Sequence, residues 1–119
     1  AEDREIAFKQ IYTRFGAGFA DWTDFEDQFG NLWQKQLHLF EVPFYYIEYA
    51  IAQLGAIAVW KNYKENPQQA LDQYLAALSL GYTKPMNEIY ETAGIKFDFS
   101  ASYVKELATF VKEELDKLG

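Results

Sequence analysis

Between His38 and Trp60 the chain reads HLFEVPFYYIEYAIAQLGAIAVW, and no other stretch restricts its fold as strongly. Proline has a fixed φ and no backbone N–H, so Pro43 suits the first turn of a helix. No strong breaker comes after it until Asn66-Pro67, and the interval predicts a helix over about 43–65, roughly six turns long. A helix on the surface of a domain carries one apolar face. Here Phe44, Ile47, Ile51, Leu54 and Ala58 form one stripe, Tyr46, Ala50, Ile57 and Trp60 another, and Tyr45, Tyr49, Ala52 and Ala56 a further one. Such a segment is expected to be a long buried central helix in a larger helical assembly.

The rest of the chain supplies helices to surround it. Ile6, Phe8, Ile11, Tyr12 and Phe15 recur at helical spacing over about Asp3 to Phe15, ending at a Gly16-Ala17-Gly18 break. Phe19 to Asp24 reads as irregular, with Thr23 or Asp24 able to cap the next helix. Phe29, Leu32, Trp33, Gln36, Leu37 and Phe40 share one side of that helix, over about 25–40. Asn66-Pro67-Gln68-Gln69 reads as an N-cap, a proline at the first helical position and a capping-box-like glutamine. The helix it opens runs through Leu71, Tyr74, Leu75 and Leu78 to Gly81. Thr83-Lys84-Pro85 opens a short helix closed by Gly94. Ser100 caps a final one whose apolar side holds Val104, Leu107, Phe110, Val111, Leu115 and Leu118. No run alternates with the period of a strand, and no repeat or linker interrupts the chain. The expected fold class is all-α, with about six helices around the central one in a single domain spanning 1–119.

Half the 119 residues are apolar and 18% are aromatic, which excludes a disordered chain. A net charge of −7 argues against nucleic acid, which needs clustered Lys and Arg, and against an anionic membrane surface. Tyr49 to Trp60 is the longest uncharged run, short of the about 20 residues that span a bilayer. With no cysteine there is neither a disulfide framework nor a thiolate metal site, in keeping with a reducing, cytoplasmic setting. AEDREIAF at the start is charged and helical, unlike a secretory signal. The first residue is not Met, which fits a trimmed or excised piece of a longer protein.

Chemistry-bearing motifs are few. His38 is the one histidine, so a His-Glu-x-x-His zinc helix cannot be written in this chain. Catalytic zinc takes about three protein ligands, and no metal site is expected here. Gly-rich phosphate loops, a Gly-x-Ser-x-Gly elbow and a Cys–His pair are missing too. Glu113-Glu114 and Asp24, Glu26 and Asp27 read as solvated faces. Glu48 sits among apolar residues, where an unpaired charge is costly, and is expected to find a salt bridge or a polar cavity. Ala50, Ala52, Gly55, Ala56 and Ala58 suggest close helix packing. Gly55 costs its helix about 1 kcal/mol relative to alanine, so another backbone or a substrate is expected to approach it.

HLFEVPFYYIEYAIAQLGA, with Trp33-Gln34 just before it, resembles the C-terminal part of oligoendopeptidase F, one of the thimet-oligopeptidase-like zinc metallopeptidases. The resemblance continues through ALDQYLAALSLGYTKPMNEIYETAGIKFDFS to the final helix. It implies a large, mostly helical ellipsoid with a deep channel for short peptide substrates. It also implies a zinc cofactor held upstream by a His-Glu-x-x-His helix and a later glutamate. On this reading the chain is a C-terminal fragment of the catalytic domain. It would hold no cofactor of its own, be inactive alone, and have the upstream metal-binding lobe as its partner.

The resemblance further implies a histidine and tyrosines that reach over the peptide being cut. On this sequence the histidine is His38, and the tyrosines fall within Tyr45, Tyr46 and Tyr49. Attack on a peptide carbonyl creates an oxyanion that preorganised O–H or N–H donors stabilise, and a phenol donates without carrying charge at neutral pH. Tyr45 and Tyr49 are four apart and would share a helix face; Tyr46 and Tyr49, three apart, would do the same. The spacing does not choose between these pairs, and Tyr49 belongs to both. Against these roles, a lone histidine between Leu37 and Leu39 is more often a hydrogen-bonded structural residue. A buried tyrosine cluster is more often core.

Two functions therefore stand side by side. One is the substrate-contacting portion of a zinc oligoendopeptidase; the other is a non-catalytic helical binding module built on the same fold. In either case a helix apolar on every face is expected to make the isolated chain a homo-oligomer.

Overall fold

The computed structural model describes residues 2–16 and 20–119. Ala17 and Gly18 of the expected break, and Phe19 at the start of the irregular stretch, lie outside the described residues. Among those described the chain is all-helical: seven α-helices and one 3-10 turn, with no strand. In order they are α1 (Glu2–Gly16), α2 (Glu26–Asn31), the 3-10 turn (Leu32–Lys35), α3 (His38–Glu41), α4 (Ile47–Glu65), α5 (Pro67–Leu80), α6 (Met86–Thr92) and α7 (Ala101–Asp116). They form two compact units, Ala1–Tyr46 and Ile47–Gly119.

The first unit is held by aromatic rings. Phe29 of α2 is buried against Tyr12 of α1, with ring centroids 5.2 Å apart and nearly perpendicular, and Trp22 stacks on it at 5.0 Å. Asp21 accepts from the backbone N–H and hydroxyl of Thr23, which turns the chain toward α2. Neither Thr23 nor Asp24 caps that helix; Phe25 holds the cap position without a side-chain bond, and Asp24 has φ +67°. The helix expected over 25–40 is broken twice. Asn31 Nδ2 donates to the Asp27 carbonyl at 2.8 Å, competing with the helical ladder just after Gly30. Gln36 then leaves the helical region, with ψ 90°.

The long helix begins at Ile47, not at Pro43. Val42 has left the helical region, with φ −139° and ψ 74°, and Phe44 has φ +68°. The Tyr45 N–H donates to the Val42 carbonyl at 3.1 Å. That closes a turn with Pro43 at its second position and a left-handed residue at its third, where glycine is favoured. A Phe in that conformation costs about 1–2 kcal/mol.

In the second unit α4 packs on α5 and α7, and α5 packs on α6. Ala58, Tyr103 and Leu107 form the core, with Leu54, Ile57 and Ile95 against it; Leu107 is only 1% exposed. Local signals place the ends of these helices. Asn66 Oδ1 accepts from the Gln69 N–H, Pro67 stands at the first turn, and Gly81 ends α5 with φ +54°. Ser100 Oγ accepts from the Tyr103 N–H to start α7. Helix α4 is not enclosed as expected. It buries Gly55 and Ala58, while Ile47, Tyr49, Trp60 and Tyr63 remain exposed. Two neighbouring helices cover less than its full girth.

Candidate functional site

His38 opens α3 and is half-buried. The Val42–Tyr45 turn carries the chain back, so that the ring of Tyr46 meets the imidazole edge-on, with centroids 5.2 Å apart at 71°. An aromatic pair at that distance and tilt is favourable by about 0.5–1.5 kcal/mol beyond burial. Tyr46 itself is 45% exposed and Tyr45 beside it is more so. The first unit thus brings a half-buried imidazole against the exposed phenol of Tyr46, with the exposed Tyr45 next to it in the chain.

Tyr49, 57% exposed, lies in the first turn of α4 and belongs to the second unit. Because α4 starts at Ile47, Tyr45 and Tyr46 precede the helix. What joins His38 to a tyrosine is the turn, which helical spacing could not reveal. A further donor lies in the first unit. The Trp33 indole packs 5.8 Å from Phe40, and its N–H is buried with no acceptor among the described residues.

In the second unit the approach anticipated at Gly55 is made by a side chain. The Tyr90 hydroxyl donates to the Ile51 carbonyl at 3.3 Å, and a Cβ on Gly55 would lie 2.8 Å from that oxygen. Tyr90, Ala52, Gly55, Val59 and Leu78 line a groove of about 380 Å³ between α4, α5 and α6. Burial pushes the Tyr90 phenol above its usual range, and the negative charge of Glu48 adds to this. Glu48 is itself exposed, so water solvates it where a salt bridge or polar cavity was expected.

A wider groove of about 650 Å³ separates α4 from α7. Ion pairs cross it: Lys61 to Glu106 at 3.4 Å and Lys64 to Glu114 at 2.7 Å. Lys117 and Lys64 hold the Glu114 carboxyl below the usual carboxylate range. This is a lattice of paired charges, with no surplus of either sign aimed at a ligand.

Among the described residues no three of His, Asp and Glu form a group that could hold a metal ion. One imidazole is a poor start for zinc, so the donor set of this chain does not fit that metal. No helix among the described residues is long and apolar enough to cross a membrane.

Among the described residues the fold is all-α and carries a His–Tyr pair, and the family comparison assigns the chain to a class of peptidases. Residues 5–109 match peptidase family M3, and the chain belongs to that family, whose members are in general zinc-dependent. The matched residues run through both units and include His38, Tyr45, Tyr46 and Tyr49. No curated protein and no solved structure matches the chain.

Proposed function

We propose that the chain is the C-terminal portion of an oligoendopeptidase F-like enzyme, one part of a cytoplasmic catalytic domain that hydrolyses short peptides. The observation that carries this reading is the His38–Tyr46 pair, inside the family match, with a half-buried imidazole against an exposed phenol. Among the described residues no group could hold the zinc that such an enzyme needs, and the contribution proposed for this chain is hydrogen bonding. A phenol O–H or imidazole N–H aimed at a peptide carbonyl binds its oxygen weakly in the substrate. It binds more strongly as negative charge develops there. In the first unit Tyr46 and His38 are the donors proposed for this role, with Tyr45 next to Tyr46 in the chain; in the second unit the candidate is Tyr49, at the start of α4. The upstream lobe would supply the metal and the opposite wall of the channel.

Kinetics of the full-length enzyme test the assignment. Tyr46→Phe, Tyr49→Phe and His38→Ala are each expected to lower kcat by roughly 10²–10³-fold, with KM changing less. If the variants keep near-normal kcat while stability falls, the three residues are structural and the helical-module reading prevails. The isolated chain is expected to cleave no peptide and bind no stoichiometric zinc. Chelator-sensitive cleavage by it would refute that expectation.

A further inference from the structure

The groove between α4, α5 and α6 lies wholly within the second unit and takes no part in the His–Tyr pair. Side chains too small to fill it line its α4 side, where Ala52 and Ala56 are both exposed. Tyr74 and Leu78 of α5 and Tyr90 of α6 stand beside them. Tyr90 is fixed twice: its hydroxyl donates to the Ile51 carbonyl, and its ring meets Phe97 edge-on at 5.0 Å. Held at hydroxyl and ring, it does not fall inward, and about 380 Å³ stays open. That is near the low end of small-molecule sites, about 300–1,000 Å³. It suits one ring with a short chain.

Glu48 adds a charge of one sign. It stands four residues before Ala52 in α4, so helical register puts it on the groove-lining face, one turn beyond the groove. Among the described residues no lysine or arginine pairs with it. Its field reaches the groove: burial is the main cause that raises the Tyr90 phenol, and the Glu48 charge adds to it. We infer that the α4–α5–α6 groove is a binding site for a small arylalkylammonium, its ring over Ala52 and Ala56 and its ammonium at Glu48. Apolar contact would supply the affinity and Glu48 the choice of sign. Because Glu48 is exposed, the ammonium would keep water on one side, and no charge would be buried without a partner. An anion of the same shape would meet an unpaired carboxylate. The site does not depend on the peptidase reading.

Amide chemical shifts of the 119-residue chain, titrated with 2-phenylethylammonium at fixed ionic strength, test this. Saturable shifts are expected at Ala52, Gly55, Ala56 and Ala77. The neutral 2-phenylethanol should bind more weakly at the same residues, and 3-phenylpropionate more weakly still. Glu48→Gln is expected to weaken the ammonium about two- to fivefold, the scale of one exposed ion pair, and to leave 2-phenylethanol unchanged. Ala56→Leu, at an exposed position and with a good helix former, should fill the groove and abolish the saturable shifts. Scattered or non-saturating shifts, equal binding of ammonium and propionate, or a response that survives Ala56→Leu would each overturn the proposal. So would groove shifts that follow protein concentration without any ligand, which would make a second copy of the chain the occupant.

Discussion

Gly55 stands in the middle of α4, where alanine would favour the helix by about 1 kcal/mol. A Cβ there would lie 2.8 Å from Tyr90 Oη and 3.2 Å from Cζ. Overpacking of that kind costs about 1–3 kcal/mol, so the tertiary contact outweighs propensity. Gly55→Ala is expected to destabilise the chain by about 1 kcal/mol in urea unfolding. The cost should shrink when Tyr90→Phe removes the hydroxyl, and additivity of the two changes would show that the residues do not interact. The glycine is legible in the sequence as an oddity within a helix, but its cause is not. Tyr90 is 35 positions away, and no local pattern announces which ring will cover it. His38 and Tyr46 show the same limit: both are candidates on sequence grounds, and only the left-handed Phe44 between them explains how they meet.

Helix ends divide into those set by local chemistry and those set by competition. Asn66, Gly81 and Ser100 act within three residues of themselves, and each stands where its side chain or lack of one predicts. Ser100→Ala is expected to cost about 1 kcal/mol, seen as a lower urea midpoint, because one backbone N–H loses its acceptor. Hydrogen bonds from Ser100 also hold the Asp98 carboxyl below its usual value, as the lysines do for Glu114. A depressed carboxylate contributes stability that is complete above its unfolded pKa, about 4, and is lost as pH falls through the folded value. Stability is therefore expected to decline below about pH 4, less so in a Ser100→Ala, Lys117→Met double variant. An equal decline in both would disprove the linkage. The break after Asn31 is not legible, since its side-chain bond to the Asp27 carbonyl competes with a helix that the apolar spacing equally permits.

On the scale of the whole molecule, the helices of the described residues leave much apolar surface open. Among the described residues Leu107 is the largest fully buried side chain, while Phe15, Phe44 and Leu118 are among many large apolar residues left in solvent. Burial contributes about 25 cal/mol per Å², and a two-fold dimer is the commonest way to obtain it. The charge of −7 opposes association, but salt at physiological strength screens it beyond about 8 Å. The isolated chain is expected to sediment as a dimer or larger at micromolar concentration. A clean 13.8 kDa monomer would show that the exposed residues are tolerated.

The all-α class came from the sequence by itself, because 3.6-residue periodicity and capping chemistry act over one or two turns and need no distant partner. Family membership was carried there too, in a tract whose unusual composition survives any conformation. Tertiary structure alone decided where α4 begins, how little of it is buried and which tyrosine meets His38. Each depends on a contest between a local preference and a contact made across the fold. At Phe44 a positive φ ends a helical run that the sequence permits, and the ring of Tyr46 comes to rest against His38.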